Sequence, residues 1–218
     1  MRAILFVNGT LADKAFLHDL LHSDDPAGDD LLIGVDGGTQ HCLDIGVVPH
    51  IVVGDLDSLA RSTVDELAAA GVRFERHPAE KDQTDLELAV ECALARGADE
   101  ILLVAALGDR LDQMLANVLL PAQRAWPATI SIVEPGQRTH FLRGPSRLLL
   151  NVEIGSTVSV IPLSEAVRGI SYSGLRYPLN DATLRLGDTR GISNEAVAQP
   201  ATVEISEGML LVVTISPT

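Results

Sequence analysis

The chain has 218 residues, a net charge of −14 and only 3% aromatic residues. That length allows one large core or two modest ones. The acidity excludes the basic footprint of a nucleic-acid binder, and no apolar run is long enough for a membrane-spanning helix.

The charge is also uneven. Residues 1–127 carry 22 acids against 9 bases, and residues 128–218 carry 8 against 7. The first part would repel a bare polyphosphate, so a phosphate ligand must arrive with a cation. Cys42 and Cys92 have no CxxC spacing and read as reduced core thiols of a cytoplasmic protein.

The first part alternates strand and helix. Met1 to Val7 begins like a signal peptide, but Asn8-Gly9 interrupts it and no small-residue cleavage pattern follows. A buried strand is expected over Ala3–Val7. A helix follows over Asp13–Leu21, then a polar turn over Ser23–Asp30. Strands are expected at 31–35, 51–53, 72–76 and 101–107. Helices are expected at 39–45, from a Ser62 N-cap to Gly71, from a Thr84 capping box to Gly97, and at 111–120. Continuous apolar strands between helices predict a parallel sheet covered on both faces, a Rossmann-like α/β domain over residues 1–127.

After Pro127 the pattern changes. Short and often alternating runs at 129–134, 139–142, 147–152, 157–162, 182–186, 201–205 and 209–215 are separated by Gly, Pro, Ser and Asn turns. They predict an antiparallel β-sandwich over residues 128–218.

The chemistry is written at the strand ends, where ligands bind in open α/β sheets. Ile51-Val52-Val53-Gly54 runs into Asp55-Leu56-Asp57-Ser58. In an extended segment the two carboxylates lie on one side, where they can share a hard cation. The competing reading is an Asx turn, but three more acidic strand ends favour metal binding. Mg²⁺ suits such a site because it takes one or two carboxylates plus phosphate oxygens.

In Lys81-Asp82-Gln83-Thr84-Asp85, Thr84 opens a helix whose N–H groups attract anions, and Lys81 offers a compact charge to phosphate. Asp85 is equally readable as a metal ligand or as a complement to the helix dipole. Asp36-Gly37-Gly38 is a glycine turn that could admit phosphate or adenine close to the backbone. Arg110, in Gly108-Asp109-Arg110-Leu111-Asp112, is a candidate for neutralising transferred charge, or an exposed arginine at a helix start. No P-loop, kinase glycine loop or GxSxG motif is present. Ser193 and Asn194, in the loop 189–195, could hydrogen-bond a heterocycle, although an ordinary β-turn explains the loop as well.

Taken together, these segments resemble the bacterial-type thiamine pyrophosphokinase family. The matching stretches are Gly34-Val35-Asp36-Gly37-Gly38, Gly54-Asp55-Leu56-Asp57-Ser58 and Lys81-Asp82-Gln83-Thr84-Asp85. They continue with Gly108-Asp109-Arg110-Leu111-Asp112-Gln113 with Asn117, Gly174-Leu175-Arg176-Tyr177-Pro178-Leu179 and Gly191-Ile192-Ser193-Asn194-Glu195. The resemblance implies Mg²⁺-dependent transfer of a pyrophosphoryl group from ATP to the hydroxyl of thiamine, releasing AMP. It implies a homodimer with thiamine at the subunit interface. On that view Asp55, Asp57 and Asp85 hold the metal and act in catalysis with Lys81. Asp36, Gly37, Gly38, Gln83, Thr84, Arg110 and Asp112 surround the nucleotide, and Ser193 and Asn194 face thiamine.

Two positions depart from the family pattern: Asp109 stands in place of a glycine and Gln113 in place of a histidine. The alternatives are a pyrophosphokinase acting on another alcohol, such as a hydroxymethylpterin, or a non-catalytic nucleotide- or thiamine-binding sensor. The Ile192-Ser193-Asn194 loop counts against the first. The set Asp55, Asp57, Asp85 and Lys81 counts against the second.

Overall fold

A computed structural model describes residues 1–11, 13–22, 30–78 and 80–217. The polar turn expected over Ser23–Asp30 therefore lies, except for Asp30, outside the described residues. The chain divides into two compact units, residues 1–120 with 126–135 and residues 121–125 with 136–218.

The first unit follows the expected alternation. Its elements run β1 (Arg2–Phe6), α1 (Lys14–His22), β2 (Leu31–Val35), α2 (Thr39–Asp44), β3 (Ile51–Gly54), α3 (Arg61–Ala69), β4 (Arg73–Arg76), α4 (Asp85–Ala95), β5 (Glu100–Val104), α5 (Leu111–Leu119) and β6 (Thr129–Glu134). The strands pair in parallel in the order β6-β5-β1-β2-β3-β4. β1 leads outward to β2, β3 and β4. The chain then returns to the other side of β1 to lay down β5 and β6. Strand order thus reverses between β1 and β5, and a crevice opens at that point beyond the carboxyl ends of the strands.

Helix limits follow local chemistry. Thr84 caps α4, its hydroxyl accepting from the Glu87 N–H at 3.2 Å. Gly71 and Gly97 stop α3 and α4 in the left-handed region. The N-cap expected at Ser62 is displaced: α3 starts at Arg61, and Ala60 precedes it without a side-chain cap. Ile4, Phe6, Leu17, Leu102 and Val104 form one core cluster, and Val52, Leu56, Leu67 and Val72 another.

The domain boundary expected after Pro127 falls later. Thr129–Glu134, expected to open the sandwich, pairs in parallel with β5 and is buried along all but its first residue.

The second unit comprises β7 (Gln137–Arg143), β8 (Ser146–Leu150), β9 (Thr157–Pro162), β10 (Ala166–Ser173), β11 (Ala182–Arg185), β12 (Asn194–Glu195), β13 (Ala201–Ile205) and β14 (Met209–Ile215). They pair antiparallel as β12-β9-β14-β7 and β11-β10-β13-β8. Val158, Val160, Ile170, Leu184, Val203 and Val212 are among the fully covered residues of their common core. The unit is thus the antiparallel β-sandwich that the alternation predicts. Among the described residues, no helix is long and apolar enough to cross a membrane.

Candidate active site

At the carboxyl end of β2 the chain turns through Asp36, whose φ is +45°. Gly38 follows, with its backbone pressed against β1: a Cβ at this position would lie 2.1 Å from the Phe6 carbonyl oxygen. Only glycine permits that approach. It seats the turn against β1 and fixes Asp36 at the mouth of the crevice.

The neighbouring strand end is more strained. Gly54 adopts φ +147° and Leu56 φ +67°. Leu56 accepts that conformation because its side chain is 8% exposed and packs with Val52, Leu59 and Leu67. Burial worth about 1.5–3 kcal/mol offsets a left-handed residue costing roughly 1–2 kcal/mol. The segment is therefore a turn and not the extended strand that spacing suggested. The Asp57 N–H donates to Asp55 Oδ1 at 3.1 Å, so the Asx turn weighed as a competitor is present as well.

This folding brings carboxylates together. Among the described residues, Asp36, Asp55 and Asp57 each place one oxygen within 4.8 Å of the others. The Ser58 hydroxyl lies 2.6 Å from Asp36 Oδ2 and 3.2 Å from Asp57 Oδ1. With one proton to give, it serves Asp36 at the shorter distance. Asp36 Oδ1 is shielded from solvent and has no hydrogen-bond partner. Three carboxylates with a spare buried oxygen and no nitrogen or sulfur donor fit a hard divalent cation.

Asp85, expected to act with Asp55 and Asp57, lines the cleft over these strand ends with Asp55. It lies outside that trio and is held by Lys81, whose Nζ donates to Asp85 Oδ1 at 2.6 Å. Both side chains are largely covered, at 16% and 28% exposure. Asp36, and not Asp85, is the third carboxylate within reach of Asp55 and Asp57. The reason is tertiary: β2 and β3 are adjacent strands, whereas Asp85 opens the helix beyond β4.

A cleft of about 550 Å³ lies over these strand ends. Asp36, Asp55, Lys81, Gln83, Thr84 and Asp85 line one part of it, with Arg110 further along. Gly37, Gly38 and Asp112 do not line it. The two glycines shape the turn beneath, and Asp112 engages Arg110 through two bonds of 2.9 and 2.6 Å. The Arg110 guanidinium holds the exposed Asp112 carboxyl down at about 2.

Sequence reasoning missed Asn8, Gly9 and Thr10 as lining residues. Asn8-Gly9 at the end of the first apolar strand was their signal. The Gly9 N–H donates to the Ala105 carbonyl at 2.9 Å and the Thr10 N–H to the Leu107 carbonyl at 2.7 Å, joining the ends of β1 and β5. Asn117 is buried, and its amide donates to the Ala106 carbonyl at 2.8 Å.

In the second unit, the two residues expected to face a heterocycle separate in role. Ser193 is exposed at φ +59°, with its N–H on Ser159 Oγ at 3.0 Å. Asn194 is 7% exposed, and its amide is used internally. Its Oδ1 accepts from Tyr177 N at 3.0 Å and Glu195 N at 2.9 Å, while Nδ2 donates to the Tyr177 carbonyl at 2.7 Å. An amide so committed has both lone pairs of Oδ1 in use and one N–H left to offer a ligand. Asn194 thus tethers the Tyr177 loop. The Tyr172 hydroxyl is buried without a partner, and burial raises its pKa.

The likeness to known proteins covers both units. Residues 27–130 match the family described as thiamin pyrophosphokinase, catalytic domain, and residues 147–210 the family described as thiamin pyrophosphokinase, vitamin B1 binding domain. The thiamine pyrophosphokinase of Bacillus subtilis (strain 168) is 33% identical over 185 residues, 84% of this chain and 86% of that protein. A solved structure of thiamine pyrophosphokinase from Bacillus subtilis superposes with a TM-score of 0.85 at 28% identity, covering 100% of both chains. One from Geobacillus thermodenitrificans gives 0.80 at 30% identity, covering 100% of this chain and 99% of that one. A crevice of carboxylates at a sheet's switch point, an antiparallel sandwich behind it in sequence, and relatives matched along almost their whole length agree: this chain belongs to the thiamine pyrophosphokinase family of enzymes.

Proposed function

We propose that this protein transfers the pyrophosphoryl group of ATP to the hydroxyl of thiamine, with Mg²⁺ as cofactor, giving thiamine diphosphate and AMP. The observation that carries the reading is a cleft lined by Asp36, Asp55, Lys81 and the N-terminus of α4, with Asp57 completing a carboxylate trio at its edge. The matched vitamin B1 binding domain favours thiamine over a pterin alcohol.

Asp36, Asp55 and Asp57 would hold the Mg²⁺, which when bound offsets phosphate charge and orients the transferred group. Lys81 presents its ammonium to phosphate oxygens. Asp85 holds that ammonium in place from the first turn of α4. The α4 N-terminus adds unpaired N–H groups to the same anion site.

The substrate hydroxyl attacks the β-phosphorus in line. A new oxygen–phosphorus bond forms as the bond to the bridging oxygen breaks, and that oxygen leaves on AMP. The hydroxyl proton goes to a carboxylate of the cleft. Rate comes mainly from positioning and charge neutralisation. We further propose a cytoplasmic homodimer, with Ser193 presenting its exposed hydroxyl to thiamine.

The test is incubation with ATP, Mg²⁺ and thiamine, followed by chromatography. AMP and thiamine diphosphate should appear in equal amounts. ADP with thiamine monophosphate would refute the reading.

A further inference from the structure

Glu134 is a buried acid that the proposed chemistry does not use. It ends β6 and is 9% exposed. In the parallel register Val133 pairs with Val104, so Glu134 stands level with Ala105, the first residue past β5. Ala105 adopts φ +51°. A left-handed residue followed by free N–H groups makes an anion-binding nest of the backbone. The N–H groups of Leu107 and Ala106 stabilise the Glu134 carboxylate, and Oε1 is buried without a partner. Burial raises the Glu134 pKa, and these two N–H groups oppose the shift.

The same turn is gripped on its other side. Its carbonyls take the Asn117 amide and the N–H groups of Gly9 and Thr10. A Cβ at Gly9 would lie 2.3 Å from the Leu107 carbonyl oxygen, so the two strand ends are in close contact. The N–H groups of Ala106 and Leu107 therefore face the Glu134 carboxylate on β6, and the carbonyls of residues 105–107 are held from α5 and the end of β1. The turn runs directly into Gly108, Asp109 and Arg110, which line the cleft.

We infer that Glu134 is a positioning residue for the nucleotide: its carboxylate fills the nest at the end of β5 and thereby sets the 105–110 turn against the end of β1. This inference rests on the reading of the cleft as the ATP site.

Three forms of the full chain are compared: wild type, Glu134→Ala and Glu134→Gln. Glutamine keeps an acceptor oxygen for the two N–H groups, and alanine does not. Amide exchange at Ala106 and Leu107 is followed without any ligand, and Mg²⁺–ATP affinity is measured by titration. Glu134→Ala should speed exchange at both amides and weaken Mg²⁺–ATP by about tenfold or more, as expected for backbone donors left without an acceptor. The KM for thiamine should be unchanged. Glu134→Gln should recover most of both effects.

Exchange in Glu134→Ala equal to wild type overturns the inference. So does a lowered melting temperature with unaltered Mg²⁺–ATP affinity, or a Glu134→Gln protein as impaired as Glu134→Ala. If Glu134→Ala does not fold, the Glu134→Gln comparison decides alone: wild-type exchange and affinity support the inference, and their loss overturns it. A wild-type protein that binds no Mg²⁺–ATP would refute the functional reading instead, while the exchange data would still report whether Glu134 holds the turn.

Discussion

Replacing Asn194 by alanine should damage the β-sandwich before it damages recognition. The amide makes three hydrogen bonds, two to the Tyr177 backbone and one to Glu195 N, from a position 7% exposed. A typical intramolecular hydrogen bond contributes about 1 kcal/mol net, so Asn194→Ala should cost roughly 3 kcal/mol. For a protein of this size that lowers the melting temperature by roughly 6–12 °C. Calorimetry on the free protein measures it directly, with thiamine KM determined on the same preparations at a temperature where both proteins are folded. Ser193→Ala is the contrast: its exposed hydroxyl is not needed by the fold, and the melting temperature should move by about 0.5 kcal/mol or less in equivalent stability. An unchanged melting temperature in Asn194→Ala, together with a large rise in thiamine KM, would show that the amide faces the substrate and that the tether argument is wrong.

Asp36→Asn, Asp55→Asn and Asp57→Asn should each lower turnover by roughly 10²–10³ at limiting Mg²⁺, the usual loss for a positioned electrostatic group. Steady-state kinetics against Mg²⁺ checks this, and near-normal turnover in all three would reassign the trio to a structural turn. His140 titrates in the stability window. Burial, aided by the Arg138 charge, lowers its pKa to about 4, against about 6.5 in the unfolded chain. The unfolded state then binds the extra proton. Stability from this group is full above about pH 6.5 and is lost as the pH falls toward 4. Between those values the melting temperature of His140→Gln should fall less steeply than that of wild type, and equal slopes would refute the assignment.

Much of the fold was legible because strand signals survive where both faces are buried. Leu31–Val35 and Met209–Ile215 are continuous apolar runs, and they form strands with the expected limits. Thr129–Glu134 misled the reading because Ser131 breaks its apolar run and imitates a half-exposed strand. Its buried serine sits instead inside a parallel sheet. β10 escaped notice because Gly169, at φ +66°, and a register shift between Val167 and Ile170 move the alternation out of phase.

The site shows the same division. Asp55 and Asp57 announce themselves by spacing. The partnership of Asp36 with them is a property of strand order, which no local pattern encodes. The Lys81–Asp85 pair and the Asn194 tether illustrate a second limit. A polar residue in a motif looks alike whether it faces a ligand or its own chain, and only side-chain geometry separates the two.

The position of the crevice has a consequence for how this chain can vary. Every lining segment lies at the carboxyl ends of β1, β2, β3 and β5 or at the starts of α4 and α5. The opposite rim of the sheet, where turns such as Ile45–Val48 and Ala70–Val72 lead into β3 and β4, contributes no residue to the lining of that cleft. Gly46 and Gly71 there face open space. That rim is the molecule's free margin: loops can lengthen or accept fused segments there while the working margin keeps its composition, so divergence among relatives can accumulate on one side of the sheet without touching catalysis on the other.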